Sequence, residues 1–436
     1  MHWGLPAIAL TVLGYAAVSR RLEGTPVTAA IVFTAAGLVL GSTAFHVVDF
    51  PPSGETVRRL AEATLAVVLF ADAARIDLRA LREELLVPAR LLAIGLPLTI
   101  LAGFGTALLV FGSMGWPEAL LLAVILAPTD AALGQAVVTL PSLPSRVRQG
   151  LNVESGLNDG LCVPVFVVVL TVATTEAGLV GKTHAAQILV EQIGYGVLFG
   201  AIAGVISAGV VVLSGSRGLV SGLWLQVVPA AGAALAYASA VAAGGSGFIA
   251  AFVGGLVFGA VRRRVGGEVG YLMEEVGALL AAATFVVFGG TLLEPALGHL
   301  TWAVAGYAVL SLTVVRMLPV AIAMIGTRAT ARTLAFLGWF GPRGLASIVF
   351  AVLVLDAKGT LPNEQVILTT VFVTIGLSVL AHGLTAAPLS RRYAAWSSSH
   401  PQAESRPVES GEAARDVRWR GPHAASRERV GSRDGA

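Results

Sequence analysis

The stretch VRQGLNVESGLNDGLCVPVFVVVLTVA, residues 147–173, combines two properties that seldom coexist. It is long and apolar enough to cross a bilayer, which takes about 20 residues of helix. It also carries Glu154 and Asp159 near its middle, where an ionised side chain costs roughly 2.5–3.5 kcal/mol on insertion scales. Glu154 and Asn158 lie four residues apart and share one helix face; Ser155 and Asp159 repeat that spacing one step around. The product is a polar stripe of two carboxylates, a hydroxyl and an amide, flanked by glycines that let another backbone approach. Ser and Asn alone would serve as helix glue. Two acids in one stripe read instead as a site for a hard cation, which takes oxygen ligands.

The rest of the chain fits a membrane setting. It has 436 residues, 56% hydrophobic and 13% charged, with a mean hydropathy of +0.80. A soluble domain is roughly a quarter charged, so these proportions exclude a cytosolic enzyme, a nucleic-acid binder and a disulfide-stapled secreted domain. The net charge of +3 comes wholly from residues 391–436; residues 1–390 balance twenty bases against twenty acids. The single cysteine, Cys162, lies inside an apolar run and reads as a small core residue. The N-terminus has no basic region of the kind that precedes a cleaved signal, so it is expected to be retained.

Thirteen apolar runs are long enough to be membrane spans: about 4–19, 27–45, 58–74, 86–111, 117–140, 147–173, 187–213, 219–241, 246–261, 271–290, 299–324, 332–355 and 364–388. Loops after odd-numbered runs, with the C-terminal end, hold fifteen Arg, against four Arg or Lys after even-numbered runs. Basic loops stay in the cytoplasm, which predicts the N-terminus outside and the C-terminus inside. Residues 391–436 turn to Ser, Glu, Arg, Pro and Ala, a composition that predicts a disordered cytoplasmic tail.

Two further features stand out. Ala127-Pro128-Thr129-Asp130 interrupts the fifth run and Gly341-Pro342-Arg343-Gly344 the twelfth; the offset of 213 residues from Asp130 to Arg343 also relates Leu86 to His299. Paired interruptions in two halves point to a transport site between inverted repeats. Proline breaks the fifth run and frees carbonyls such as that of Thr129. Asp130 can neutralise the positive end of a broken helix, and Arg343 the carbonyl ends of the opposite half-helices. Arg316, with no aqueous end in reach, needs a buried carboxylate; Glu154 is the natural partner, which leaves Asp159 free to trade a proton for a cation. Asp72 reads equally as a relay acid near the cavity or as a partner of Arg75. Arg90, Glu118 and Glu274-Glu275 lie near helix ends, where they can snorkel, and are given no role.

At these residues the chain resembles the monovalent cation:proton antiporters, specifically the sodium/proton exchanger (NhaP-like) branch marked by Asn-Asp. The resemblance rests on Thr129-Asp130, Glu154-Ser155, Asn158-Asp159, Arg316 and the Gly-Pro-Arg-Gly motif of 341–344, and covers about residues 5–390. It implies an all-α polytopic membrane protein with two inverted repeats and crossed discontinuous helices, five and twelve. The transmembrane antiporter domain would be 1–390, with core helices at about 86–173 and 299–388 and dimer or scaffold helices at about 4–74 and 219–290. It further implies a homodimer in membrane lipid, elevator-like alternating access, and Asp159 as carrier of the exchanged proton or cation. Thr129, Asp130, Glu154 and Ser155 would complete the cation site, while Asn158 and Arg316 would hold Glu154. No cofactor, nucleotide or nucleic acid is implied.

One exchangeable carboxylate beside Asn158 predicts one cation per proton, with Na+ favoured and Li+ or K+ as alternatives. Two other classes compete with this reading. Gly244-Gly245-Ser246-Gly247 matches the Gly-x-Ser-Gly of an intramembrane serine protease, but it falls in a turn between the eighth and ninth runs, and His299 and His382 are isolated near helix ends. A sodium-coupled organic-anion symporter of related fold would need more polar groups than one ion does.

Overall fold

A computed structural model of the chain describes residues 3–22, 25–41, 51, 54–76, 86–130, 133, 140, 142–176, 182–220, 222–262, 270–357, 361–399 and 408–409. Among these residues all regular secondary structure is helical. The elements are α1 (Gly4–Leu22), α2 (Ala29–Leu40), α3 (Glu55–Arg75) and α4 (Leu86–Val110, with a π turn at Leu91–Gly95). There follow α5 (Trp116–Ile125), α6 (Ser145–Glu176), α7 (Lys182–Ser216), α8 (Gly222–Ala242) and α9 (Gly247–Arg262). The last are α10 (Tyr271–Leu297, with a π turn at Phe288–Leu293), α11 (Trp302–Ala323, interrupted at Thr313), α12 (Ala331–Trp339), α13 (Leu345–Leu355) and α14 (Glu364–Ser399).

Seven of these helices are long and apolar enough to cross a membrane, which makes this a multi-pass membrane protein. Every run marked in the sequence holds a helix, and the fifth and twelfth are broken by several non-helical residues. The fifth stops at Ile125 and runs on without helical structure through 126–130; its residues 131–132 and 134–139 lie outside the described residues. The twelfth is two short helices, α12 and α13, separated by the non-helical residues 340–344. Both interruptions fall where the two proline motifs place them.

Packing divides the helices into two sets. α9 packs on α3, α7 and α8, and α10 on α2, α3 and α8, whereas α4, α5 and α6 group with α11 to α14. The sets meet where α3 lies on α6 and α13, α7 and α9 on α6, and α2 and α10 on α14. Small residues set the closest approaches. The Gly255 and Gly259 positions of α9 lie directly on the backbone carbonyls of Phe70 and Ala74 in α3, so a Cβ would collide there. This close packing is what the glycine repeat of the ninth run predicts.

Two boundary readings need correction. α14 does not stop near 388; it continues through Ser399, nine residues into the segment expected to be disordered. The cause is tertiary: Tyr393 and Ala394 are buried, and Tyr393 stacks on Phe336 at 4.3 Å. The remainder of the expected tail, apart from 408–409, lies outside the described residues. Glu118 does not snorkel either. It is 6% exposed and accepts hydrogen bonds from the backbone N–H and side-chain amide of Asn363, at 2.8 and 2.6 Å, and from Gly115 N–H. Desolvated carboxylates need such partners, and here they tie the start of α5 to the start of α14.

Candidate functional site

The two interruptions meet. Asp130 N–H donates to the Pro342 carbonyl at 2.8 Å, and Ser347 Oγ donates to the Ile125 carbonyl, an orphan at the end of α5, at 2.7 Å. Asp130 Oδ2 accepts from Leu345 N–H at 2.9 Å and so caps α13 from another part of the chain. Arg343 answers from the other side: its Nη1 donates to the carbonyls of Ala127 and Gly341 at 3.4 and 3.1 Å. A carboxylate thus sits at a helix N-terminus and a guanidinium at a helix C-terminus, the arrangement that helix dipoles favour.

The Gly-Pro-Arg-Gly composition explains why this junction closes. A Cβ on Gly344 would occupy the position of the Asp130 carboxylate, and a Cβ on Gly341 would collide with the guanidinium of Arg316. Pro342 supplies an acceptor carbonyl, and Arg343 N–H donates to Ser378 Oγ of α14 at 2.7 Å. Arg343 is fully buried.

α6 runs beside the junction. Glu154 pairs with Arg316 through both oxygens, Nη1 to Oε1 at 2.6 Å and Nη2 to Oε2 at 2.8 Å. This is the pairing expected from the sequence, and both side chains are buried. Because both its oxygens are engaged, Glu154 differs from the other candidate ligands. Asn158 also departs from expectation. Its amide donates to Thr129 Oγ1 at 2.6 Å, rather than to Glu154. Thr129 Oγ1 in turn lies 3.2 Å from Ser155 Oγ. Thr129, Ser155 and Asn158 therefore form one hydrogen-bonded group, buried, next to Asp159 on α6.

Asp159 is 8% exposed. Its Oδ1 and the Oδ1 of Asn158 are buried oxygens with no hydrogen-bond partner among the described residues. A buried acceptor without a donor is costly, and a carboxylate oxygen in that state is suited to a positive charge. Pro164, one turn further along α6, carries no N–H for the carbonyl of Gly160. Asp72, on α3, lies against Gly156, whose Cβ position is 3.6 Å from that of Asp72. It also stands 3.7 Å from Arg75, but Arg75 makes its shorter contact, 2.6 Å, with Glu274. Asp72 and Asp130 are both near enough to act on Asp159 electrostatically. Among the described residues no three His, Cys, Asp or Glu side chains converge into a metal-binding cluster.

Residues 8–392 match the family described as sodium/hydrogen exchanger, transmembrane. The chain belongs to that family. Among its relatives, the K(+)/H(+) antiporter NhaP2 of Shewanella sp. (strain ANA-3) is 25% identical over 375 residues, covering 86% of this chain and 63% of the relative. The Na(+)/H(+) antiporter NhaP of Pseudomonas aeruginosa is 29% identical over 354 residues, covering 75% of this chain and 79% of the relative. The sodium proton antiporter MjNhaP1 from Methanocaldococcus jannaschii at pH 8 superposes with a TM-score of 0.70 at 20% identity, over 87% of this chain and 98% of that one. At that identity the likeness is one of fold. This chain spans 63% of the length of the NhaP2 relative.

Two residues weighed for an intramembrane protease have structural partners. Ser246 of the Gly-Gly-Ser-Gly turn is a helix cap that accepts from Ile249 N–H at 3.3 Å. His382, set aside in the sequence as isolated near a helix end, is fully buried, stacked on Trp339, with Nε2 2.9 Å from the Trp339 carbonyl and Nδ1 3.2 Å from Ser378 Oγ. It braces the end of α12 and, through Ser378, the backbone of Arg343. The sequence did carry a signal for this group: Thr370, Thr374, Ser378 and His382 repeat every four residues in an otherwise apolar helix.

Proposed function

We propose that this chain exchanges a monovalent cation for H+ across the cell membrane, with Asp159 as the carboxylate that carries either one. The observation that carries this reading is the contrast between two acids on α6: Glu154 is sealed to Arg316, whereas Asp159 keeps an unpartnered oxygen beside Thr129, Ser155 and Asn158. One free carboxylate among hydroxyl and amide oxygens suits a singly charged ion; a tightly held divalent ion would want more carboxylates.

In one facing state the ionised Asp159 holds the cation; in the other it is protonated. Either load neutralises the carboxylate, and the barrier to carrying it past an apolar interior falls. The bare anion stays in place, so transport without exchange is suppressed. Thr129, Ser155 and Asn158 surround the ion, and Asp130 and Arg343 hold the two interruptions together. Asp72 contributes as a relay acid between Asp159 and the Arg75–Glu274 pair. Na+ is the favoured ion, with Li+ and K+ as alternatives, and the cycle is one cation per proton.

The architectural part of the proposal is thirteen passes, N-terminus outside and C-terminus in the cytoplasm. Inverted repeats cross their interrupted helices at the site. α4 to α6 with α11 to α14 would move as the core against the remaining helices, in a homodimer. The two packing sets of helices support this division. The test is relief of a preset pH gradient in proteoliposomes on addition of Na+, Li+ or K+, followed with a pH-sensitive dye. A response to any of them supports exchange and names the ion. Silence to all three rejects it in favour of a sodium-coupled organic-anion symporter.

A further inference from the structure

Far from the ion site, two residues beyond the last helix return to the body of the protein. Val408 is fully buried, in an apolar cluster with Val87, Val147, Leu151, Phe336 and Tyr393. Glu409 next to it reaches the N-terminus of α12. Its Oε1 accepts from Thr330 N–H at 2.8 Å, Thr330 Oγ1 at 2.7 Å and Thr333 Oγ1 at 2.5 Å; Thr333 Oγ1 also lies 2.8 Å from Tyr393 OH. The nearby wall is made by the overrun of α14, where Arg332 of α12 stacks over Trp396 at 5.2 Å. A carboxylate held by the N-cap residue's N–H and two hydroxyls at a helix start, with an apolar neighbour in a socket, is a bipartite lock of an apolar and an anionic element.

We infer that Val408 and Glu409 form a latch by which the C-terminal tail docks on the start of α12 and sets how firmly the ion site binds its cation. α12 is the nine-residue helix that ends at the Gly341–Gly344 interruption, and so at Arg343 and the cap on α13. Holding its far end fixes where that interruption lies. Among the described residues, the cluster that receives Val408 draws on α4, α6, α11, α12, α14 and the residues flanking them, with nothing from α1 to α3 or α7 to α10. The latch therefore does not bridge the two packing sets and cannot act as a brake between them. Its effect falls within one set, on affinity rather than on turnover. This rests on the exchange reading proposed above.

The docking is tested without transport. With Val408→Cys, labelling by a hydrophilic maleimide is slow, because the side chain is buried; the native Cys162 is buried as well. Adding Glu409→Ala raises the labelling rate about tenfold or more, as expected when a local contact opens. Transport is then compared in otherwise unaltered protein. Glu409→Ala raises the half-saturating cation concentration about threefold while the maximal rate per folded transporter stays within about twofold, a coupling of ordinary size. Labelling of Val408→Cys as fast as in denatured protein overturns the latch. Slow labelling with an unchanged half-saturation in Glu409→Ala overturns its role, and so does a change confined to the maximal rate. Absence of exchange in wild type would instead strike the exchange reading and leave the labelling to decide the docking.

Discussion

Arg316 and Glu154, 162 residues apart in the chain, close a two-pronged ion pair of 2.6 and 2.8 Å with the guanidinium and carboxylate almost wholly buried. Each satisfies a charge the other could not carry alone in an apolar interior. Because Arg is permanently charged, the pair gives Glu154 a fixed partner at both oxygens. On the exchange reading proposed above, the carrying role falls to Asp159, five residues on.

Removing one partner leaves the other charge buried and uncompensated, which costs about 3–5 kcal/mol. Arg316→Ala is therefore expected to lower the thermal midpoint of the purified protein by many degrees. The double variant Glu154→Gln with Arg316→Met should recover much of that loss, since no buried charge is then left alone. A thermal midpoint for Arg316→Ala equal to wild type would contradict the account.

At the junction of the interruptions, Gly344→Ala places a methyl group where the Asp130 carboxylate lies. The cap on Leu345 N–H is displaced, at a cost of about 1 kcal/mol for the hydrogen bond alone, and the two interruptions are forced apart. Exchange is expected to fall sharply. Gly105→Ala, on α4 where a Cβ meets nothing within 4 Å, serves as the control and should behave as wild type.

Glu118 holds three N–H groups at the junction of α5 and α14. Glu118→Ala leaves those donors unmet, with a loss of about 1–3 kcal/mol. The expected result is a lower thermal midpoint with unchanged ion selectivity. A shift in selectivity without loss of stability would place Glu118 in the site instead.

On the proposed cycle, one exchangeable carboxylate moves one cation against one proton and no net charge. Initial exchange rates in proteoliposomes should then be the same with and without an imposed potassium diffusion potential. Rates that follow the potential would mean a second charge moves with the ion.

Much of this was legible in the sequence because buried charge in a membrane protein has few places to go. Arg316 had to find a carboxylate, and of the acids in the apolar runs Glu154 was its natural partner. The proline motifs had to break their helices, and Asp130 and Arg343 had to answer the exposed ends. What the sequence left open was decided by three-dimensional contacts that spacing does not encode. Asn158 has two polar neighbours within reach, and only the fold assigns its amide to Thr129 rather than to Glu154. Glu118 looked like a helix-end charge until Asn363, 245 residues away, came to cover it. His382 lay in an apolar run whose four-residue polar repeat is visible only once one asks what faces the second interruption. The overrun of α14 past Leu389 depends on Phe336 stacking on Tyr393, a long-range contact with no local signature.

The central claim is that Asp159 carries both the proton and the cation. The most direct measurement is cation-driven relief of a pH gradient in proteoliposomes holding equal amounts of folded wild type or Asp159→Asn. The account predicts a response in wild type and none in Asp159→Asn, with the variant as well expressed and as monodisperse as wild type. Wild-type exchange by Asp159→Asn would contradict it.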